Sequence, residues 1–510
     1  MKKTDNFLMG ADIGSSSCKI SIVDDTGRIL AYGNTDYFAE TKKEGWAEQN
    51  PDVWFQAFKS SVRQCLKESR IPPSKIYALS VCGPAHNAVL LDKNNEVLRP
   101  AILWWDQRST HQSDWLLKKF GRTIFKTTLQ PVHPSWTLAQ LLWIKENEPY
   151  IFKKIHRIII GKDFITYRLT GSWQTDWYDA MGTQLFNGKA KKWSKEICRI
   201  LNLPVKCLPP VLNSLDIAGH VTPCASIETG LPVGLPVAVG SGDSVVEAFG
   251  VAAVEPMDCL VKLATTGTVS VVTAKQHPSK KAMSYFHVIP DLFYTITATN
   301  SGASSAQWFY KTFHDNAKDS YETMEQLAEK VAPGSEGLIF HPYLKGERSP
   351  YWDPDLRADF IGISHTHKKQ HFIRAVFEGV AFSLRDCMEL IRSMDIPIKR
   401  TFLVGGGARI KLWRQITSDI LATRLHIPKV PSLYVATYGA ALLAGLASGV
   451  FSSLKEITKI AGKSDETIKP DPNYADQYEK TYTVYKEITR NLQPIYKKLK
   501  NIYSGQKSIK

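Results

Sequence analysis

Apolar and polar positions recur along this chain in one order: a short apolar strand, a turn of small polar residues, a second strand, then an amphipathic helix. Residues 7–11 (Phe-Leu-Met-Gly-Ala) read as a buried strand that ends at Asp12-Ile-Gly-Ser-Ser-Ser17. Residues 19–23 alternate with period two and predict a second strand; 24–27 form a turn and 28–32 a third strand. Asn50-Pro51-Asp52 supplies a cap, a first-position proline and an acid in the first turn, which starts a helix. Its predicted inward face carries Val53, Trp54, Ala57, Phe58, Val62, Cys65 and Leu66. A strand over 76–81 ends at Cys82-Gly-Pro-Ala-His86, and 88–91 is strand-like again. Residues 134–147 and 162–170 predict helices, and the polar run 175–183 a turn-rich loop able to cover a site.

The order then returns. An alternating piece with Val237 and Val239 stops at Gly240-Ser241-Gly242; Asp243 follows, and a small-residue helix begins near Ser244. Residues 258–264 predict a strand, Thr265-Thr-Gly-Thr268 a turn and 269–274 another strand. Strand, glycine with hydroxyls, strand thus occurs twice, which predicts duplicated domains that face each other, each offering a turn of donors to a polyphosphate. Residues 401–404 run into Gly405-Gly-Gly-Ala408, and a helix from Arg409 turns Leu412, Trp413, Ile416 and Ile420 inward. Residues 436–445 predict a closely packed small-residue helix. Tyr474, Tyr478, Tyr482 and Tyr485 fall at helical spacing and read as packing; 504–510 reads as a frayed end.

At 510 residues the chain is too long for one core, so two domains are expected. No apolar run spans a bilayer, and the first residues enter a strand without an apolar leader. Eight scattered cysteines, with no C-x-x-C pair, predict reduced thiols and no zinc site. Together these predict a cytoplasmic protein. The net charge of +15 is dispersed and accompanies no nucleic-acid motif. Nucleic acid and membrane are therefore not expected partners, and the positive bias suits an anionic small substrate.

Four places carry candidate chemistry. Asp243, between a strand end and a helix start, is either a helix cap or an ionised general base for a hydroxyl proton. Asp12 is placed to hold a divalent cation or its waters, while Gly14 and Ser15, Ser16 and Ser17 offer donors to a phosphate; the alternative is a plain hairpin turn. No G-x-x-x-x-G-K-[ST] loop occurs. His86, at a strand end, is either a ligand contact or a structural hydrogen bonder. Trp104 with Trp105, Asp106 and Arg108 is either a site wall or core packing with a local ion pair.

Taken in order, these pieces resemble the FGGY family of carbohydrate kinases, and within it the xylulokinase-like members, over about residues 7–490. The most specific stretch is Ala358-Asp-Phe-Ile-Gly-Ile363 followed by His371-Phe-Ile-Arg-Ala-Val-Phe-Glu-Gly379. Gly45-Trp-Ala-Glu-Gln-Asn-Pro51, Arg99-Pro-Ala-Ile-Leu-Trp104 and Tyr343-Leu-Lys-Gly-Glu-Arg-Ser-Pro350 add to it. The resemblance implies an α/β fold of two actin-like (ribonuclease H-like) domains with a nucleotide and substrate cleft between them. Residues 1–253 would form the sugar side with the catalytic Asp, 254–450 the ATP side, and 451–510 a helical extension. It implies ATP and Mg2+ as cofactors, with Asp243 as catalytic base, and with Asp12 (through a water) and Asp243 as the metal-side carboxylates. Asp12, Ser15, Ser16, Ser17 and Lys19 would form a first phosphate loop and Thr265, Thr266, Gly267 and Thr268 a second. Gly406, Gly407, Ala408 and Lys411 would line the adenosine side. Ala85 and His86 stand where xylulokinases carry a Met-His pair against the sugar; Trp104, Asp106 and Ser244 complete the acceptor side. Two positions depart from the xylulokinase pattern, Ser244 in place of Asn and Ala85 in place of Met after Pro84, and Gln140 stands where the family's N-terminal signature has Lys before Leu-x-Trp.

The activity implied is phosphoryl transfer to a primary hydroxyl of an open-chain ketopentose, with D-xylulose leading. Ribulose, gluconate, an erythritol-like polyol, an autoinducer-2-like signal and a non-catalytic sugar-binding regulator are the alternatives. A homodimer is common in the family, and nothing in the sequence marks an interface.

Overall fold

The computed structural model describes residues 6–313 and 321–504; of the frayed end expected at 504–510, residues 505–510 lie outside them. The first sheet is built from β1 (Phe7–Ile13), β2 (Ser17–Asp24), β3 (Ile29–Asp36), β4 (Ile76–Gly83), β5 (Ile217–His220) and β6 (Pro236–Gly242), in the order β5-β6-β4-β1-β2-β3. The second has β7 (Asp258–Leu263), β8 (Gly267–Thr273), β9 (Met283–Phe286), β10 (Phe293–Thr299), β11 (Arg400–Val404), β12 (Leu425–Pro428) and β13 (Ser464–Ile468), in the order β9-β10-β8-β7-β11-β12-β13.

Six strands of the second sheet repeat the six of the first, and β9 is an extra edge strand beside β10. β3-β2-β1-β4-β6 and β10-β8-β7-β11-β12 each contain two antiparallel pairings followed by two parallel ones. Each ends on an antiparallel edge strand, β5 or β13. The duplication predicted from two short turns is thus a duplication of whole sheets, and the two-domain α/β architecture follows from it.

Helix α1 (Pro51–Ser69) starts where the capping residues predict, with the Asn50 side chain accepting from Asp52 N. Its buried face differs in one place: Val53 is 42% exposed, while Phe55 is fully buried and packs in its stead. The run 175–183 is not an open loop. Thr175–Asp176 pairs with residues 211–212, and helix α3 (Trp177–Gly182) follows helix α2 (Gly161–Thr170) into the core. Asp176 caps α3 by accepting from Tyr178 N and Asp179 N. Asp176 is bonded on all sides and Asp179 meets Lys162, while Thr175 Oγ1 is buried without a hydrogen-bond partner among the described residues; polarity here misleads about exposure.

Helix α4 (Asp243–Gly250) follows β6 directly. Helix α5 (Lys369–Arg392) and helix α6 (Lys411–Leu421) cover the second sheet. Helix α7 (Val435–Ala447) is the predicted small-residue helix, and it packs on β1, β4 and α4 of the first sheet. Its approach is backbone to backbone. A Cβ on Gly10 would lie 1.9 Å from Thr437 O, and one on Gly439 would lie 2.1 Å from Val246 O. Ser21 and Thr437 hydroxyls meet at 2.5 Å.

Helix α8 (Ala475–Ser504) buries Tyr478, Tyr482 and Tyr485 against α5. Tyr478 donates to Glu378 at 2.9 Å and Tyr482 to Asp386 at 2.7 Å. The segment expected as a helical extension, 451–510, therefore also supplies strand β13 and part of the second core. Among the described residues no helix is long and apolar enough to cross a membrane.

Because neither carbonyl facing these glycines can retreat without moving a helix, Gly439→Val should lower stability by about 3 kcal/mol. Urea unfolding reads this; an unchanged midpoint would mean that α7 shifts freely on the first sheet.

Candidate active site

The two repeated hairpins and the head of α4 converge where the sheets meet. β6 carries a register shift between Ala238 and Ser241 against β4, and Gly240 there has φ of +71°. This bend is held from behind. Lys162 Nζ donates to Val239 O at 3.3 Å and lies 2.5, 3.3 and 3.4 Å from Asp163, Asp176 and Asp179. Ser241 Oγ donates to Asp176 at 2.6 Å. Burial raises Asp163 to about 6 and Asp179 well above its ordinary range, and Lys162 only partly offsets it.

Asp243 emerges from that bend as the first residue of α4, with Gly242 as the cap. Asp243 is therefore not the helix cap. Its Oδ1 accepts from Ser244 N at 2.7 Å and Ser244 Oγ at 3.2 Å; Oδ2 has no partner among the described residues. Tyr294 donates to Ser244 O at 3.1 Å and so ties α4 to the second sheet.

Asp12 closes β1 opposite Lys19, whose Nζ lies 3.8 Å from its carboxylate. Burial, with Asp243 and Glu247 adding like charge, pushes Asp12 from 3.8 up to about 6 against the pull of Lys19 and Lys262. Glu247, one turn along α4, is raised by burial and paired with Lys262 of β7 at 2.8 Å. Burial works against the Lys262 charge, but Glu247 and Asp243 outweigh it and hold the ammonium above its ordinary range. Lys262 and Asp12 occupy equivalent positions in the two repeats, each one step before the last pair of its hairpin.

The turns themselves are strapped. Gly14 N donates to Ser17 O, and Tyr37 donates to Gly14 O at 2.6 Å. Ser15 is half-buried, Ser16 exposed, and Ser17 buried in β2. On the second turn Thr265 is exposed, Thr266 and Thr268 half-buried and Gly267 buried. Gly302 N and Ser304 Oγ donate to Thr265 O. Gly406–Arg409 is a short 3-10 turn before α6; Gly406 and Lys411 are exposed, Gly407 and Ala408 buried. The helix predicted from Arg409 thus begins at Lys411.

On the other side of Asp243, His86 has φ of +74° and lies 2.6 Å through Nδ1 from Gly182 O. A carbonyl only accepts, so Nδ1 carries the proton and Nε2 is an acceptor. Burial lowers His86 to about 4, which keeps it neutral. Trp104 donates Nε1 to Ser15 Oγ at 3.2 Å and joins this wall to the first turn. Ala85 is buried beside His86. Asp106 is differently placed: its carboxylate is consumed by Arg108 and by Ala47 N, with no exposed surface. The local-ion-pair reading holds for Asp106, and the structure does not offer it as a contact for an acceptor. Gln140 reaches two carbonyls, Leu103 O and Ser135 O, so its amide is matched to its surroundings.

Glu247, Lys262 and Lys162 were missed by the sequence reading. The signal was present: Glu247 and Lys262 are charges within apolar runs and Lys162, beside Asp163, follows one at 158–160; such charges are buried only with a partner. Among the described residues no cluster of three or more His, Cys, Asp or Glu is placed to hold a metal ion. A surface cavity of about 800 Å3 opens at the far edge of the second sheet beside Arg392, Arg424 and His426, away from all these groups.

Residues 7–250 match the FGGY family of carbohydrate kinases, N-terminal domain, and residues 260–448 match its C-terminal domain. The chain belongs to this family. It is 33% identical to the xylulose kinase of Bacillus subtilis over 497 residues, covering 97% of this chain and 99% of the relative. It is 29% identical to the gluconokinase of the same organism over 511 residues, with 98% and 99% covered. The crystal structure of ligand-bound xylulose kinase from Lactobacillus acidophilus superposes with a TM-score of 0.90 at 27% identity, covering 97% of this chain and 100% of that one. The protein is a carbohydrate kinase with two actin-like halves.

The raised Asp12 has a consequence for stability. Below about pH 4 its carboxyl is protonated in both folded and unfolded chains and contributes nothing. Between 3.8 and about 6 only the folded chain holds the proton, so folding loses stability as pH rises, by about 3 kcal/mol in all. Asp12→Asn should therefore raise the melting temperature relative to wild type at pH 7.5, with the gap closing at pH 4; a gap that is constant with pH would show that Asp12 ionises freely.

Proposed function

We propose that this carbohydrate kinase transfers the terminal phosphoryl group of ATP to a primary hydroxyl of an open-chain ketopentose, best D-xylulose. The observation that carries the reading is Asp243 Oδ2, a carboxylate oxygen with no partner among the described residues, at the head of α4 and between the two donor turns. In this reading Asp243 accepts the proton of the acceptor hydroxyl. Ser15, Ser16, Thr265, Thr266 and the amides of both turns hold the phosphates, with Lys19 beside them. Gly406, Gly407, Ala408 and Lys411 line the adenosine side. His86, Trp104 and Ser244 orient the acceptor. Positioning and charge stabilisation are the main tasks of a phosphoryl-transfer site.

The two carboxylates Asp12 and Asp243 suit Mg2+, which keeps several waters and takes its remaining ligands from phosphates. Bound there, it would neutralise phosphate charge. Apposition of the two halves would exclude water. The identity to a xylulose kinase supports the ketopentose. The similarity to a gluconokinase, with Ser244 and Ala85 in place of the xylulokinase residues, supports an aldonate as the second reading.

ADP release should be stimulated by D-xylulose or D-gluconate over a panel that includes ribulose, erythritol and no acceptor. Asp243→Ala should reduce it by about a thousandfold or more while ATP still binds. Unchanged turnover in that variant would remove Asp243 as the base.

A further inference from the structure

The described arginines with buried guanidinium groups pair with carboxylates, except one. Arg108 pairs with Asp106, Arg374 with Glu378 and Arg385 with Glu479. Arg348 has no carboxylate within ion-pair distance among the described residues. Its guanidinium makes one long hydrogen bond, 3.4 Å to Thr299 O, and its Nε is buried with no partner.

The backbone around Arg348 is fixed. Glu347 is buried and accepts from Thr299 Oγ1 at 2.5 Å, Asn300 N at 2.8 Å and Arg348 N at 2.6 Å. Ser349 N donates to Ala298 O, which seats the strap on β10. These four bonds hold Glu347 and Ser349; none is made by the guanidinium between them, whose charge Glu347 supports only in part against burial.

From this seat in the second half, Arg348 crosses to the first. Its Cζ lies 5.8 Å from the Trp104 ring. It also lies close enough to His133 and Tyr285 to perturb both. His133 in turn meets Trp352 of the second half at 5.2 Å. His86 and His133 are both held neutral by burial, so neither adds a second positive charge beside Arg348. A guanidinium held in place, half out of water and short of acceptors, is a binding group for oxygen atoms supplied from outside the chain.

We propose that Arg348 is a specificity-determining contact that donates to the acceptor's carbonyl or carboxylate oxygens, at the end away from the phosphorylated hydroxyl. The inference rests on the kinase reading above and adds to it a residue from the opposite half of the molecule. It makes the acceptor a bridge: Asp243 at one end, Arg348 at the other. A ketose offers Arg348 its carbonyl and neighbouring hydroxyl; an aldonate offers a carboxylate and gains more from the positive charge.

The test is calorimetric binding of D-xylulose and of D-gluconate, with a non-hydrolysable ATP analogue present, to wild type, Arg348→Met and Arg348→Lys, alongside steady-state kinetics. Arg348→Met should weaken binding of the acceptor that wild type takes by about 10- to 100-fold. Its KM for that acceptor should rise in parallel while the KM for ATP stays within twofold. Arg348→Lys should recover part of the loss, more for gluconate than for xylulose. If Arg348→Met fails to fold, Arg348→Lys alone decides, and acceptor affinity equal to wild type overturns the inference. Equal acceptor affinity in both variants, or a loss that falls on ATP instead, overturns it while leaving the kinase reading intact. If wild type binds neither compound, the inference falls together with the ketopentose and aldonate readings.

Discussion

The structure depends on one close contact, the backbone-to-backbone seating of helix α7 on strand β1 and helix α4. Side chains cannot mediate an approach in which a single Cβ would reach within about 2 Å of a carbonyl. The sequence accommodates it with Gly10, Gly439 and a run of alanines along α7. Through this contact an element that follows the second sheet's central strands in the chain becomes part of the first sheet's cover. It also presses on α4, the helix whose first residue is Asp243. Packing between the halves and placement of the candidate base therefore share one set of atoms.

Charge is the second organiser. Asp12, Asp243 and Glu247 crowd the junction, against two lysines, Lys19 and Lys262. Burial and the like charge of Asp243 and Glu247 make the ionised form of Asp12 costly there, and Lys19 and Lys262 offset it only in part. An arrangement of this kind favours the arrival of further positive charge, which in a kinase comes with the metal and its nucleotide. Behind β6 the Lys162 cluster repeats the theme without solvent, and there its task is to keep the bend before Asp243 in shape.

Much of this was legible in the chain. Period-two strands, the Asn50-Pro51-Asp52 cap and the two glycine-hydroxyl turns are local signals, and local chemistry determines them. The duplication could be read from those turns because the register of a hairpin is set near its turn. Residues 175–183 were misread because polarity is a proxy for exposure, and here Asp176 and Asp179 find Lys162 inside the core, a partner separated from them in sequence by a whole helix. Val53 was misread for a gentler reason: Val53 and Phe55 lie about 200° apart, on opposite edges of the stripe centred on Trp54 and Phe58, and only the packing neighbours decide which edge is covered. Asp106 looked available because its ion pair with Arg108 is local, but its second oxygen is taken by Ala47 N, which no spacing rule connects to it. Glu247, Lys262 and Arg348 depend on long-range pairing, or on the lack of it, and that information lies in the fold.

The equivalent positions held by Asp12 and Lys262 break the symmetry of the duplicated hairpins. Two identical hairpins facing each other would form a site with no preferred direction, and a ligand could enter it in either of two related orientations. Replacing an anion by a cation at one matched position removes that choice. At this matched pair the first sheet presents an anion, offset by Lys19, and the second a cation, offset by Glu247. The two ends of a molecule lying across the hairpins therefore meet different groups. In a fold assembled from two copies of the same plan, this single inversion of sign is enough to distinguish one side of the site from the other.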